Sequence, residues 1–172
     1  VVEYNVVENT YSGAIYPVLQ QQDMVEDLVI RHNLLIGIKD GFREDRKIGG
    51  LTFRSESCGD NASMDGDLYV YGNTVIGFYL GIGLRTKDWT GTNTAFDRDF
   101  YIYNNTVIDS KFNNYIIATG FVDELEEGGG HVYWHNNSSI YYNQAGDNPS
   151  HLTSYGVQKL PHSQITIDNN HY

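Results

Sequence analysis

The chain has 172 residues, 40% hydrophobic and 13% aromatic, with 18 Gly, 14 Tyr, 3 Pro and 2 Met; this is the composition of one folded domain, and its weight of Tyr favours strands over long helices. Lys and Arg total 11 against 22 Asp and Glu, and the formal charge of -11 with a pI near 4.7 argues against a nucleic-acid partner, which would need a basic stripe. No run approaches the roughly 20 apolar residues of a membrane span, the segment after Val1 does not read as a signal peptide, and the single Cys58 has no intrachain disulfide partner.

From the N-terminus onward, a short alternating strand that runs into Asn keeps returning. Its copies are Val2-Glu3-Tyr4-Asn5, Val29-Ile30-Arg31-His32-Asn33, Tyr69-Val70-Tyr71-Gly72-Asn73, Tyr101-Ile102-Tyr103-Asn104-Asn105, Val132-Tyr133-Trp134-His135-Asn136-Asn137 and Ile165-Thr166-Ile167-Asp168-Asn169-Asn170. The last Asn of each recurs after 28, 40, 32, 32 and 33 residues, so the repeat is near 32 with one insertion. After Asn73 and Asn105 the chain resumes with Thr74-Val75-Ile76 and Thr106-Val107-Ile108, so the Asn marks a corner between two strands. Asn tolerates the left-handed backbone region and bonds nearby backbone, and stacked copies would form an Asn ladder. A third strand is expected at residues 14–16, 51–54, 81–85 and 115–118.

Three strands per repeat cannot bury an apolar face alone; stacking repeats at about 4.8 Å supplies both backbone bonds and a core. The expected fold is all-β, a parallel β-helix of about five to six coils. An antiparallel sandwich also yields short strands but leaves the returning strand, Asn, strand pattern unexplained. No capping helix is visible at either end, so residues 1–172 read as one domain forming a portion of a larger solenoid.

The phrases Tyr103-Asn104-Asn105-Thr106-Val107, Gly72-Asn73-Thr74-Val75-Ile76-Gly77 and Gly81-Ile82-Gly83-Leu84-Arg85 resemble the repeats of pectate-lyase-like right-handed β-helix proteins, over essentially the whole chain. Residues 136–142 and 168–172 are similar to the late coils of secreted polysaccharide lyases in that superfamily. The resemblance implies a right-handed solenoid, a polysaccharide partner, an extracellular, periplasmic or cell-surface location, Ca²⁺ as a cofactor and no organic cofactor. It does not fix the activity, because the superfamily also holds glycoside hydrolases, uronan epimerases, tailspikes and adhesins.

In such folds substrate lies along the third-strand sheet. With Leu51 and Phe53 inward, Thr52 and Arg54 face out; with Ile82 and Leu84 inward, Gly83 and Arg85 face out. Arg54 and Arg85 then stand on adjacent coils roughly 5 Å apart, repelling each other unless a carboxylate lies between. A uronate chain would supply it, and Tyr16 on the preceding coil would stack on a sugar ring. The plain alternative is a pair of solvated arginines with Glu56 nearby. The long interval adds a loop at residues 39–47, where Arg43, Arg46 or Lys47, with Lys39, would bind carboxylate, or simply be solvated. Asp60, Asp65 and Asp67 offer the oxygen ligands Ca²⁺ takes, without EF-hand spacing, and read otherwise as an ordinary acidic turn. The run Asp123-Glu124-Leu125-Glu126-Glu127 reads as a solvated loop. The six His are too dispersed for a zinc motif, and His32 and His135 beside the corners have a structural role. No nucleophile elbow or phosphate-binding glycine loop occurs.

These residues suggest β-elimination on an anionic polysaccharide. Arg54 and Arg85 would neutralise the uronate or take its C5 proton, Lys87 or Lys39 is the alternative base, and Tyr16 or Tyr79 is the acid. The catalytic candidates are thus Arg54, Arg85, Lys87 and Tyr16; the substrate-binding ones are Arg43, Arg46, Lys39, Glu56 and Tyr79. A glycoside hydrolase would instead pair Glu56 with Asp45 or Asp88, and a glycan-binding adhesin or tailspike would need no catalytic group.

Overall fold

The computed structural model describes residues 1–10, 13–20, 27–37, 49–56, 66–87, 99–110, 112–119, 131–140, 150–153 and 165–171; of these, 18–20, 53–56, 84–87, 112–119, 150–153 and 165 are described by backbone alone. Among the described residues all regular structure is β, and every strand pair is parallel. Among them, too, no helix is long and apolar enough to cross a membrane. The strands form three sheets, and the chain visits the sheets in rotation.

The first sheet holds β1 (Val2–Glu3), β4 (Leu28–Arg31), β7 (Leu68–Tyr71), β10 (Phe100–Tyr103), β13 (Val132–His135) and β16 (Ile165–Asp168), neighbours in that order. In β7, β10 and β13 burial alternates strictly, as a period-2 strand with one face on the core must. Leu68, Val70, Phe100, Ile102, Val132 and Trp134 point inward, while the intervening Tyr and His stand outside. The second sheet holds β2 (Val6–Thr10), β5 (Leu34–Gly37), β8 (Thr74–Ile76), β11 (Thr106–Ile108) and β14 (Ser138–Ile140), each later strand burying only its middle residue, Val75, Val107 or Ser139.

Between these sheets lies the Asn corner, and two residues divide its work. The left-handed backbone belongs to the residue before the ladder Asn: Tyr4, His32, Gly72, Asn104, Asn136 and Asn169 have φ of 57°, 55°, 63°, 54°, 52° and 48°. The ladder is built by the residue after it. Asn33, Asn73, Asn105 and Asn137 are buried. Asn73 donates its backbone N–H and its Nδ2 to Asn105 Oδ1, both at 3.0 Å, and Asn105 repeats both bonds to Asn137 at 3.1 and 3.0 Å. The second amide proton of each goes to an inward-facing residue one coil back: Asn73 to the Ile30 carbonyl, Asn105 to Val70 and Asn137 to Ile102. Both groups of a buried amide are thereby satisfied, which burial demands.

The third sheet holds β3 (Val18–Gln20), β6 (Gly49–Glu56), β9 (Leu80–Lys87), β12 (Phe112–Thr119) and β15 (Ser150–Thr153). Its first strand departs from expectation. Ile15 makes an isolated bridge to Leu51, and regular pairing resumes only at Val18↔Arg54. Pro17 sits in the gap, and a residue without an N–H cannot continue the ladder. The strand expected at 115–118 extends from Phe112 to Thr119, and β15 was not anticipated. Thr52 corrects a second expectation: it is 2% exposed rather than on the surface, and its hydroxyl accepts the Gly49 N–H at 3.1 Å.

All three sheets feed one core. Ile30, Val70 and Ile102 come from the first, Leu35, Val75 and Val107 from the second, Leu51 and Ile82 from the third, and each is fully buried. At roughly 1.5–3 kcal/mol per such side chain, these columns dominate the stabilisation. Phe78 fills the corner between the second and third sheets, and there Gly50 has no room for a side chain: a Cβ would lie 2.4 Å from Val75 Cγ1 and 2.8 Å from Phe78 Cδ2.

Candidate functional site

The outer side of the third sheet is where the sequence places its chemistry. Backbone register pairs Arg54 with Arg85 and Thr52 with Gly83 across β6 and β9, and continues Gly83 to Tyr115 and Arg85 to Ile117 across β12. Tyr16 lies between Ile15, bridged to Leu51, and Val18, paired with Arg54; it therefore falls level with Thr52. The register thus brings Tyr16, Thr52 and Gly83 into one row and Arg54 and Arg85 into the next. Glu56 ends β6, paired with Gln20, and Lys87 ends β9, paired with Thr119. Arg54, Glu56, Arg85 and Lys87 are placed here by backbone alone. Tyr16 is half-buried, as is Tyr79, which lies in the β8–β9 connection away from the arginine row. Lys39, Arg43, Arg46, Asp60 and Asp65 lie outside the described residues, as do Asp45 and Asp88.

Asp67 is described, and it belongs to a different face. It precedes β7 in the first sheet, in a column with Asp27, Asp99 and His131. The Asp67 N–H donates to Asp27 Oδ1 at 2.8 Å, the Asp99 N–H to Asp67 Oδ1 at 3.2 Å and the His131 N–H to Asp99 Oδ1 at 2.8 Å. The second carboxylate oxygens accept tyrosine hydroxyls, Tyr69 to Asp67 at 3.2 Å and Tyr101 to Asp99 at 3.1 Å. Both oxygens of Asp67 thus serve a polar ladder. The sequence reading missed this column, although its signal was present: Asp stands one residue before Leu28, Leu68 and Phe100 alike.

Beside the carboxylates the tyrosines stack. Tyr69 and Tyr101 have ring centroids 4.9 Å apart at 6°, Tyr101 and Tyr133 4.8 Å at 3°, and in the next row Tyr71 and Tyr103 4.9 Å at 9°. The strand repeat sets that spacing, and aligned rings stabilise it by about 0.5–1.5 kcal/mol a pair. Loss of hydration, then the bond to Asp99 and its charge, push the Tyr101 phenol up to about 12. Desolvation and Asp67 raise Tyr69, and desolvation followed by Tyr71 raises Tyr103 against an opposing pull from Arg31. Arg31 donates to the Tyr71 hydroxyl at 2.8 Å and to Glu3 Oε2 at 2.6 Å, and both partners hold its guanidinium protonated. His32 stacks on Tyr4 at 5.4 Å and meets Tyr71 edge-on, and His135 lies against Tyr103.

The two faces differ in chemical capacity. On the first sheet the phenol protons of Tyr69 and Tyr101 are held by carboxylates that already accept a backbone N–H, and stacked rings cover one another, so this face is suited to rigidity. The third sheet instead pairs Arg54 with Arg85 in backbone register. Among the described residues no group of three or more His, Cys, Asp or Glu is placed to hold a metal ion. In comparisons with known proteins, no family model, no curated protein and no solved structure matches the chain.

Proposed function

We propose that the chain is a right-handed parallel β-helix whose third sheet binds an anionic, uronate-containing polysaccharide and cleaves it by β-elimination. The observation that carries the proposal is the in-register pairing of Arg54 with Arg85. Two guanidinium-bearing residues in adjacent parallel strands, about 4.8 Å apart, form a cationic pair that a carboxylate between them would relieve. Gly83 and Thr52 in the adjoining row leave backbone and a small side chain beside the pair, and Tyr16 supplies an aromatic at the same level. In the reaction one arginine neutralises the uronate carboxylate, acidifying the C5 proton; the base that removes it is the other arginine or Lys87, and the departing glycosidic oxygen takes a proton from Tyr16. A Ca²⁺ ion, were one bound, would have to be held by Asp60 and Asp65, outside the described residues, and would supply further neutralisation of the uronate carboxylate.

The test incubates the protein with pectate, alginate and chondroitin while following the ultraviolet absorbance of the unsaturated product. Absorbance should rise with one of the three and fall at least 100-fold in rate for Arg85→Ala. Reducing ends without absorbance would make the protein a hydrolase instead. A second reading, glycan binding without cleavage, draws on the burial of Thr52 and Gly83, the two residues in the row beside the arginine pair. Retention on immobilised pectate or alginate, with neither product, would select it.

A further inference from the structure

We infer that Asn104 and Asn136 are acceptor sites for an N-linked oligosaccharide and that Asn137 is not. Three described triplets carry the Asn, any residue but Pro, Ser or Thr pattern of such acceptors: Asn104-Asn105-Thr106, Asn136-Asn137-Ser138 and Asn137-Ser138-Ser139. The last two overlap, and the fold separates them. Asn137 is 1% exposed, its Nδ2 donates to the Ile102 carbonyl at 2.9 Å, and its Oδ1 accepts from Asn105. A sugar on that nitrogen would remove a ladder rung and force a bulky polar group into the core.

Asn104 and Asn136 stand one residue earlier, at the left-handed corner, where both are exposed and neither side chain has a hydrogen-bond partner among the described residues. Nothing in the corner demands Asn there. The same place is filled by Tyr4, His32 and Gly72 on other coils, so the ladder uses only the backbone of this residue. The hydroxyl residues of the two triplets, Thr106 and Ser138, pair in register as the first residues of β11 and β14 and are half-buried rather than enclosed. The corner joins the first and second sheets, so a glycan there leaves the third sheet free, and the inference does not depend on cleavage.

The bond formed joins the side-chain amide nitrogen to the anomeric carbon of a lipid-diphosphate-linked oligosaccharide. The bond broken is that carbon to its diphosphate oxygen; the lipid diphosphate leaves with the electron pair, and the amide loses one proton to a base.

To test this, the chain is produced in a eukaryotic cell line behind a cleavable signal segment, and glycopeptides from secreted and retained protein are sequenced by mass spectrometry. Secreted protein should carry glycan at Asn104 and at Asn136. Thr106→Ala should abolish the first. Ser138→Ala should abolish the second while leaving an intact triplet at Asn137, which should stay bare. Glycan on Asn137 in secreted protein, or bare Asn104 and Asn136, would overturn the inference. So would retention of the wild type with secretion of the Thr106→Ala/Ser138→Ala variant, since the glycans would then be incompatible with folding.

Discussion

Asn105 shows how much of this fold rests on one side chain. Its Oδ1 accepts two donors from Asn73, and its Nδ2 serves both the Val70 carbonyl and Asn137. Asn105→Ala leaves those buried groups without partners, at about 1–3 kcal/mol for each left unpaired. The expected loss is about 3–5 kcal/mol in chemical unfolding. Asn5 donates equivalent bonds to Asn33 from an exposed position, where water replaces them, so Asn5→Ala should cost under about 1 kcal/mol; equal losses at the two positions would show that ladder burial is not the source. Tyr101 gives a second prediction at this scale. Its phenol is pushed up to about 12 from about 10 in an unfolded chain. The folded state therefore keeps a proton that the unfolded state gives up. The resulting stabilisation is complete below about pH 10 and disappears as the pH rises toward about 12. An absorbance titration of native protein should show Tyr101 among the last tyrosines to ionise, and Tyr101→Phe should remove that late step; a variant with an unaltered titration curve would refute the assignment.

At the scale of the element, the third sheet meets the second where Gly50 packs on Val75 and Phe78. Gly50→Ala sets a methyl into Val75 and Phe78 and should destabilise by about 1–3 kcal/mol. Phe78→Leu in the same chain should recover part of that loss, because it vacates volume beside the new methyl; a double variant whose losses simply add would refute the packing account. Strands were legible where one rule governed them. In the first sheet β7, β10 and β13 alternate strictly and every strand runs into an Asn, so both their places and the ladder followed from the sequence. The left-handed residue did not, because Tyr, His, Gly and Asn share that place and only the backbone is selected. Nor did the break at Pro17 or the burial of Thr52, since alternation says which side a residue takes but not whether that side is covered. For the candidate site, the pairing of Arg54 with Arg85 followed from strand spacing alone, whereas the Asp column was masked by reading Asp67 with its sequence neighbours instead of with Asp27 and Asp99 across the stack.

For the molecule as a whole, parallel stacking makes each coil depend on the coils beside it. Ile30, Val70 and Ile102, in the middle of the first sheet, are fully buried, whereas Val1, Tyr4 and Val6 at one end are 76%, 72% and 64% exposed and Ile167 at the other is 42% exposed. Among the described residues β1 and β16 each have a hydrogen-bonded neighbour on one side only, so in the 172-residue chain opening either breaks one set of backbone bonds and little core. Stability in a stack of this kind is a sum over neighbouring interfaces, and local opening should therefore proceed from the ends inward. Native-state hydrogen exchange should find the slowest amides in β7 and β10, with protection falling through β4 and β13 to the fastest in β1 and β16. A uniform exchange rate along the first sheet would refute this and require all-or-none opening. The gradient bears on the site, because β6 and β9, which carry Arg54 and Arg85, belong to the coils of β4 and β7 rather than to the terminal ones. The Asn33 and Asn73 rungs tie these same two coils together, so Asn73→Ala should loosen the β6–β9 amides in the same experiment although that side chain lies at a different corner. An unchanged exchange rate in β6 and β9 would show that the third sheet holds its register without the ladder.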